Sequence, residues 1–193
     1  MNNIIHLDSS IMGDNSVSRQ LTAQVVKHIN QGQEATTYID LAQQKLPALD
    51  SFTVGSFFTP EEHRNTEQQA ISTISDNLIA QLKAADVIVI GAPMYNFTIP
   101  TQLKTYFDLV ARAGLTFQYT DTGPKGLLEN KTAYLVVSSG GDYRGQHKDF
   151  VTPYVKHMLG FMGITDVHVI TAPSTAMDKV AALASAEEAI AAV

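Results

Sequence analysis

Three short polar stretches could do chemistry, and each follows directly on an apolar run. Asp8-Ser9-Ser10-Ile11-Met12-Gly13-Asp14-Asn15-Ser16-Val17-Ser18 is rich in hydroxyls and leads into a helical pattern. Helix-start N–H groups carry partial positive charge and serine hydroxyls donate to phosphate oxygens, so this loop can hold a phosphate without any lysine. Ordinary helix capping by Ser16 or Asn15 accounts for the same residues. The second stretch, Gly91-Ala92-Pro93-Met94-Tyr95-Asn96-Phe97, sets Asn96 and two aromatics at the carboxyl end of the run Val87-Ile88-Val89-Ile90, where open α/β sheets bind ligands. The third, Ser138-Ser139-Gly140-Gly141-Asp142-Tyr143, has paired glycines that let backbone amides approach a flat ligand, or that simply make a tight turn. No GxxxxGK or GxGxxG pattern is present, which removes support for P-loop hydrolysis and Rossmann-type dinucleotide binding. Histidines at 6, 28, 63, 147, 157 and 168 lack metal-ligand spacing, so no metal is assigned.

The elements that must position these stretches alternate. Ile4-Ile5-His6-Leu7 reads as a strand, followed by a helix from about Ser18 to Ile29 and a second strand, Thr36–Ile39. Thr59-Pro60-Glu61-Glu62 predicts the start of a long helix carrying Ile71, Ile74, Leu78 and Leu82, which leaves Phe52, Phe57 and Phe58 in a long loop. The Val87 strand comes next, then a helix opened by Pro100 with apolar positions 103, 106, 107 and 110, closed by Gly114. Strands at Ala133–Val137 and Val167–Ile170 flank a helix around Pro153 to Leu159, and an alanine-rich helix follows Ser174-Thr175. Between Gly114 and Lys131, brief alternation and a Gly-Pro turn predict a hairpin on the sheet edge or a flap, with Phe117 and Tyr119 pointing the same way. Right-handed crossovers then imply a doubly wound α/β fold: five parallel strands in the order 2-1-3-4-5, with helices on both faces. Its switch point gathers the three polar loops around one crevice.

Composition bounds the rest. A content of 45% hydrophobic residues in 193 suits one soluble domain, residues 1–193, with a real core. A formal charge of -6 argues against a nucleic-acid surface. The absence of cysteine excludes a disulfide framework, a thiol nucleophile and a cysteine-based metal site. No run approaches the roughly 18 apolar residues of a membrane span, and the start lacks the marks of a signal peptide, so a cytoplasmic location without membrane contact is expected.

A ligand with a phosphate, a flat ring with a polar edge and a need for apolar cover fits the three converging loops, and FMN meets all three requirements. Here the sequence resembles the bacterial FMN-dependent azoreductase and NADH:quinone oxidoreductase family, a flavodoxin-like group, essentially end to end. The most specific carriers are Ala92–Phe97, Gln102-Leu103-Lys104, Tyr106–Gly114, Thr116-Phe117, Tyr119-Thr120 and Leu159-Gly160-Phe161. The resemblance implies that Ser10 and Ser16-Val17-Ser18 hold the FMN phosphate and ribityl end. It also implies that Met94, Tyr95, Asn96 and Phe97 line the isoalloxazine and that Ser138, Ser139, Gly140 and Gly141 border its pyrimidine edge. A homodimer is implied, with Tyr119 and a Phe161 from across the interface framing the substrate space. The implied activity is two-electron reduction of quinones and cleavage of azo compounds with NADH, or NADPH, by ping-pong kinetics, with no catalytic side chain required. Two departures stand out: Ser139 occupies a position where an arginine is expected, and Ser16-Val17-Ser18 replaces Ser-Gln-Ser. A flavodoxin-like electron carrier would be expected to carry more one-sided charge. A phosphoacceptor receiver domain would need an acid where Gly91-Ala92-Pro93 stands; Asp86 lies at the wrong end of that strand.

Overall fold

The computed structural model describes residues 3–30 and 35–193. Its strands are β1 (Ile4–Asp8), β2 (Thr36–Asp40), β3 (Val87–Pro93), β4 (Phe117–Thr120), β5 (Gly123–Gly126), β6 (Thr132–Ser138) and β7 (Asp166–Ala172). Five of them pair in parallel in the order β2-β1-β3-β6-β7, which is the expected 2-1-3-4-5 counted along the central sheet. Helices α1 (Val17–Ile29), α2 (Ser51–Phe58), α3 (Thr66–Ala84), α4 (Thr101–Val110), α5 (Thr152–Phe161) and α6 (Lys179–Ala191) complete the chain.

Alternation along the strands explains the two layers. Ile4, Val89, Val136 and Ile170 pack with Leu21 and Val25 of α1 and with Ala182, Ala186 and Ile190 of α6. Their neighbours Ile5, Leu7, Ile88, Ile90, Leu135 and Val137 turn the other way, onto α3, α4 and α5. Burial on both faces is why these strands read as unbroken apolar runs. At the carboxyl ends the pattern changes: a Cβ on Gly91 would lie 2.9 Å from Asp8 Oδ1, so glycine lets a buried carboxylate sit between β1 and α1.

The helix predicted from Thr59 begins seven residues later, at Thr66. Asn65 and Gln68 form the reciprocal capping box, Asn65 Oδ1 accepting from the Gln68 N–H at 2.9 Å and Gln68 Oε1 from the Asn65 N–H at 3.0 Å. Thr59 instead ends α2, its hydroxyl donating back to the Gly55 carbonyl at 2.8 Å. Pro60 disfavours helical backbone in the residue before it, so the same Thr-Pro pair that can open a helix here closes one. The predicted long loop is accordingly helix α2, capped by Asp50 on the Thr53 N–H at 2.7 Å. The alanine-rich helix starts at Lys179 behind an Asp178 cap, leaving Ser174–Met177 as a turn.

Between α4 and β6 the predicted hairpin forms, β4 against β5. It docks on the end of α5: a Cβ on Gly126 would fall 2.1 Å from the Gly163 nitrogen, and the Leu128 N–H donates to the Met162 carbonyl at 2.8 Å.

Candidate functional site

A cavity of about 240 Å³ opens at the carboxyl ends of β1, β3 and β6. From the first loop it is lined by Ser10, Met12, Asn15, Ser16 and Val17. Ser16 is the N-cap of α1: its Oγ accepts from the Arg19 N–H at 3.2 Å and lies 3.1 Å from Ser18 Oγ. Ser18 is fully buried behind Ser16 and does not reach the wall. The N–H groups of Val17 and Ser18 precede the first intrahelical donor, Gln20 N–H to the Ser16 carbonyl, so the positive end of a 13-residue helix is offered at this corner. Ser10 Oγ is 3.0 Å from Tyr95 Oη and accepts from the Met12 N–H at 3.2 Å, tying the first loop to the second.

Pro93, Met94 and Tyr95 supply the second wall. Beyond them Tyr95 and Thr98 exchange backbone hydrogen bonds of 2.9 and 3.1 Å around Asn96 and Phe97, whose φ angles are 50° and 70°. Two successive left-handed residues make a hairpin turn of the mirror-image type, and a phenylalanine there is held against about 1–2 kcal/mol of steric preference. The Phe97 ring, 46% exposed, meets Tyr143 edge-on with centroids 5.5 Å apart, so the second and third loops touch through their aromatics.

The third wall is Ser138, Ser139 and Gly140, joined by Thr175 from the turn after β7. Ser139 O accepts from the Thr175 N–H at 3.0 Å and Oγ1 at 3.1 Å, Gly140 O from the Ala176 N–H at 3.4 Å and Gly141 O from the Ser174 N–H at 3.2 Å. Because a trans peptide puts C=O and N–H on opposite sides, three carbonyls turned toward residues 174–176 turn the N–H groups of Gly140, Gly141 and Asp142 away from them. A Cβ on Gly141 would lie 2.9 Å from the Tyr143 ring, so glycine permits this close fold.

A site with helix N–H groups at one corner, an aromatic wall and an amide edge fits a phosphorylated planar ligand of the FMN kind. Of the residues expected there, Ser10, Ser16, Val17, Met94, Tyr95, Ser138, Ser139 and Gly140 share the cavity. Asn96, Phe97 and Gly141 lie in the loops beside it, and Ser18 stands behind. Tyr119, on β4, and Phe161, the last residue of α5, lie outside this cavity. Phe117 of the docked hairpin bridges them, its centroid 4.4 Å from that of Phe161 and 5.4 Å from that of Tyr119, a residue 76% exposed.

The family model described as "Flavodoxin-like fold" matches residues 2–193. The chain belongs to this flavodoxin-like family. It is 49% identical over 196 residues to the FMN-dependent NADH:quinone oxidoreductase of Vibrio vulnificus, covering 100% of this chain and 99% of the relative. FMN-dependent NADH:quinone oxidoreductase 1 of a Jannaschia species is 48% identical over 187 residues, covering 97% and 96%. Among solved structures, the FMN-dependent NADH-azoreductase of Bacillus anthracis in complex with FMN superposes with a TM-score of 0.88 at 27% identity, over 100% of this chain and 97% of that one. These are the relatives that the sequence resembles.

Sequence reasoning missed four residues lining this flavodoxin-like cavity: Met12, Asn15, Pro93 and Thr175. The first three lie within stretches already singled out. Thr175 was within reach, because the last strand pairs with the strand before the glycine loop, so the turns that follow the two must abut.

Proposed function

We propose that the chain, as one domain over residues 1–193, binds FMN and uses NADH, or NADPH, for two-electron reduction of quinones and reductive cleavage of aromatic azo compounds. The observation that carries this reading is the meeting of a helix N-terminus, an aromatic wall and an outward amide edge in one cavity. The names and near-complete coverage of the relatives support it.

Bound FMN supplies the chemistry of accepting a hydride from the nicotinamide and passing two electrons on. The protein supplies placement and electrostatics. Ser10, Ser16 and the Val17 and Ser18 N–H groups hold the phosphate and ribityl end; Met94, Tyr95, Asn96 and Phe97 cover the ring. Ser138 and Ser139 would border its polar edge, where the Gly140 and Gly141 N–H groups could donate to negative charge. Each quinone takes two electrons and two protons to become a hydroquinone. The hydride from the nicotinamide accounts for both electrons and one of the protons, and solvent or Tyr119 supplies the other. An azo bond needs two such rounds to give two amines.

Donor and acceptor occupy the same space in turn, which makes the kinetics ping-pong. A second copy of the chain brings Tyr119 and Phe161 to that space, so the working unit is a homodimer in the cytoplasm. NADH is the donor we favour, since the relatives are named for it; Arg144, one candidate for meeting a 2′-phosphate, pairs with Asp142 at 2.6 and 2.9 Å.

The test is anaerobic mixing of the purified protein with NADH, followed by benzoquinone, while the visible flavin absorption is recorded. The expected result is rapid bleaching, then recovery with one quinone consumed per flavin. Flavin that resists NADH would point to an electron carrier, and protein that takes up no FMN would overturn the reading. Intersecting rather than parallel double-reciprocal lines would remove the ping-pong order.

A further inference from the structure

Behind the first loop, out of the cavity, lies a charged cluster that the proposed chemistry does not use. Arg19 is the third residue of α1, and its side chain, 14% exposed, runs along the back of the loop. Nη2 donates to the Ser10 carbonyl at 2.7 Å and to Asp40 Oδ1 at 2.6 Å, and Nη1 donates to Tyr38 Oη at 2.9 Å. Tyr38 Oη in turn donates to Asp8 Oδ2 at 3.2 Å, and the Thr22 hydroxyl donates to Asp8 Oδ1 at 2.8 Å.

The Ser10–Ile11 peptide is therefore held from both sides. Its carbonyl is fixed by Arg19, and its N–H donates to Tyr95 Oη at 3.3 Å. A peptide plane rotates as a unit, so two anchors on opposite edges remove the motion by which this loop would change shape. Arginine suits the task because its rigid planar fork reaches, from two separate nitrogens, three acceptors on different elements, whereas a lysine ammonium presents its donors from a single compact point. Asp40 at 2.6 Å and Asp8 at 3.9 Å absorb its charge, and Arg19 does not line the cavity, so it is not itself a ligand for an anion. It also offsets carboxylates that would otherwise oppose an anion in front of the loop.

We propose that Arg19 is a positioning residue: by clamping the Ser10–Ile11 peptide it holds the first loop in its phosphate-accepting shape, and so makes the site discriminate FMN from the unphosphorylated riboflavin. The proposal rests on the FMN reading above, but a separate measurement can overturn it. It places the selectivity for a phosphate on a residue that never touches one.

Flavin-free full-length protein would be titrated with FMN and with riboflavin, following flavin fluorescence, for the wild type, Arg19→Met and Arg19→Lys. Arg19→Met is expected to weaken FMN by about tenfold or more while riboflavin moves by less than about threefold. An equal loss for both flavins, or no loss for either, overturns the proposal. Arg19→Lys keeps a positive charge between the two carboxylates and decides the matter if the methionine variant does not fold. It is expected to recover only part of the discrimination, and a wild-type FMN-to-riboflavin ratio in it would overturn the clamp. Wild-type protein that binds neither flavin would bring down the FMN reading itself, an outcome distinct from loss of the ratio.

Discussion

At the α1 corner of the cavity, polar groups are held by backbone or by buried partners. Ser16 caps a helix, Ser10 is tied to Tyr95, and Arg19 braces the loop from behind. The aromatic side is built differently: Phe97 stands half in solvent on a left-handed turn, and Tyr119 lies exposed on a hairpin docked to α5. A phosphate is one fixed shape, so its cradle gains by rigidity. On the proposed function, a surface for varied planar acceptors would gain from apolar faces left open.

That contrast can be broken most sharply at Ser16. Removing a hydrogen bond to a charged group forfeits about 1.5–3 kcal/mol, so Ser16→Ala should weaken FMN roughly tenfold to a hundredfold in a fluorescence titration. Ser18→Ala should cost less than Ser16→Ala, because its hydroxyl contacts Ser16 and not the cavity. Should the double variant keep wild-type affinity, the phosphate corner has been misassigned.

Gly126→Ala should follow in size, on stability instead of on binding. Overpacking a backbone contact destabilises by about 1–3 kcal/mol, readable as a lower midpoint in urea. If acceptor reduction falls as well while FMN remains bound, the hairpin's seat on α5 matters to the aromatic side. Tyr119→Ala comes next: it should spare FMN and shift acceptor KM by about threefold to tenfold, the worth of one aromatic contact. Flavin loss from that variant would erase the division between the two regions.

The smallest effect concerns pH. Burial opposes ionisation of Asp8, but His6, Thr22 and Arg19 together outweigh it and hold the carboxyl below its ordinary 3.8. A carboxylate with a depressed folded pKa stabilises the fold above its unfolded value, and that contribution disappears as pH falls through the folded one. Asp8→Asn should therefore flatten the loss of stability between about pH 5 and about pH 3, measured by urea midpoints across that window. An unchanged slope would mean that the cluster behind the loop carries no net linkage.

Strand order and the three loops were legible because doubly buried strands leave long apolar runs and because parallel crossovers admit few topologies. Where reading failed, local chemistry was ambiguous. Thr59-Pro60 serves equally to end a helix or begin one, and only the Asn65–Gln68 box, six residues on, decides. Helix α2 was hidden by its eight-residue length and by Gly55 in its middle. Within the site, the residue types were readable but their directions were not. Nothing in Ser16-Val17-Ser18 says that the second serine faces inward, and nothing in Ser139-Gly140-Gly141 says that its carbonyls bind the turn after β7. Nothing in the sequence marks Arg19 as a brace, since its partners on β2 lie about twenty residues away.

The left-handed turn at Asn96 and Phe97 has a consequence for anyone selecting sturdier variants. Glycine at position 97 would relax the turn, worth about 1 kcal/mol, and would delete the ring that meets Tyr143. The two terms are of similar size and opposite sign, since an aromatic pair contributes about 0.5–1.5 kcal/mol. A thermostability screen run without a turnover assay is therefore blind at this position: it can exchange the ring that joins the second and third loops for a relaxed turn at little change in stability.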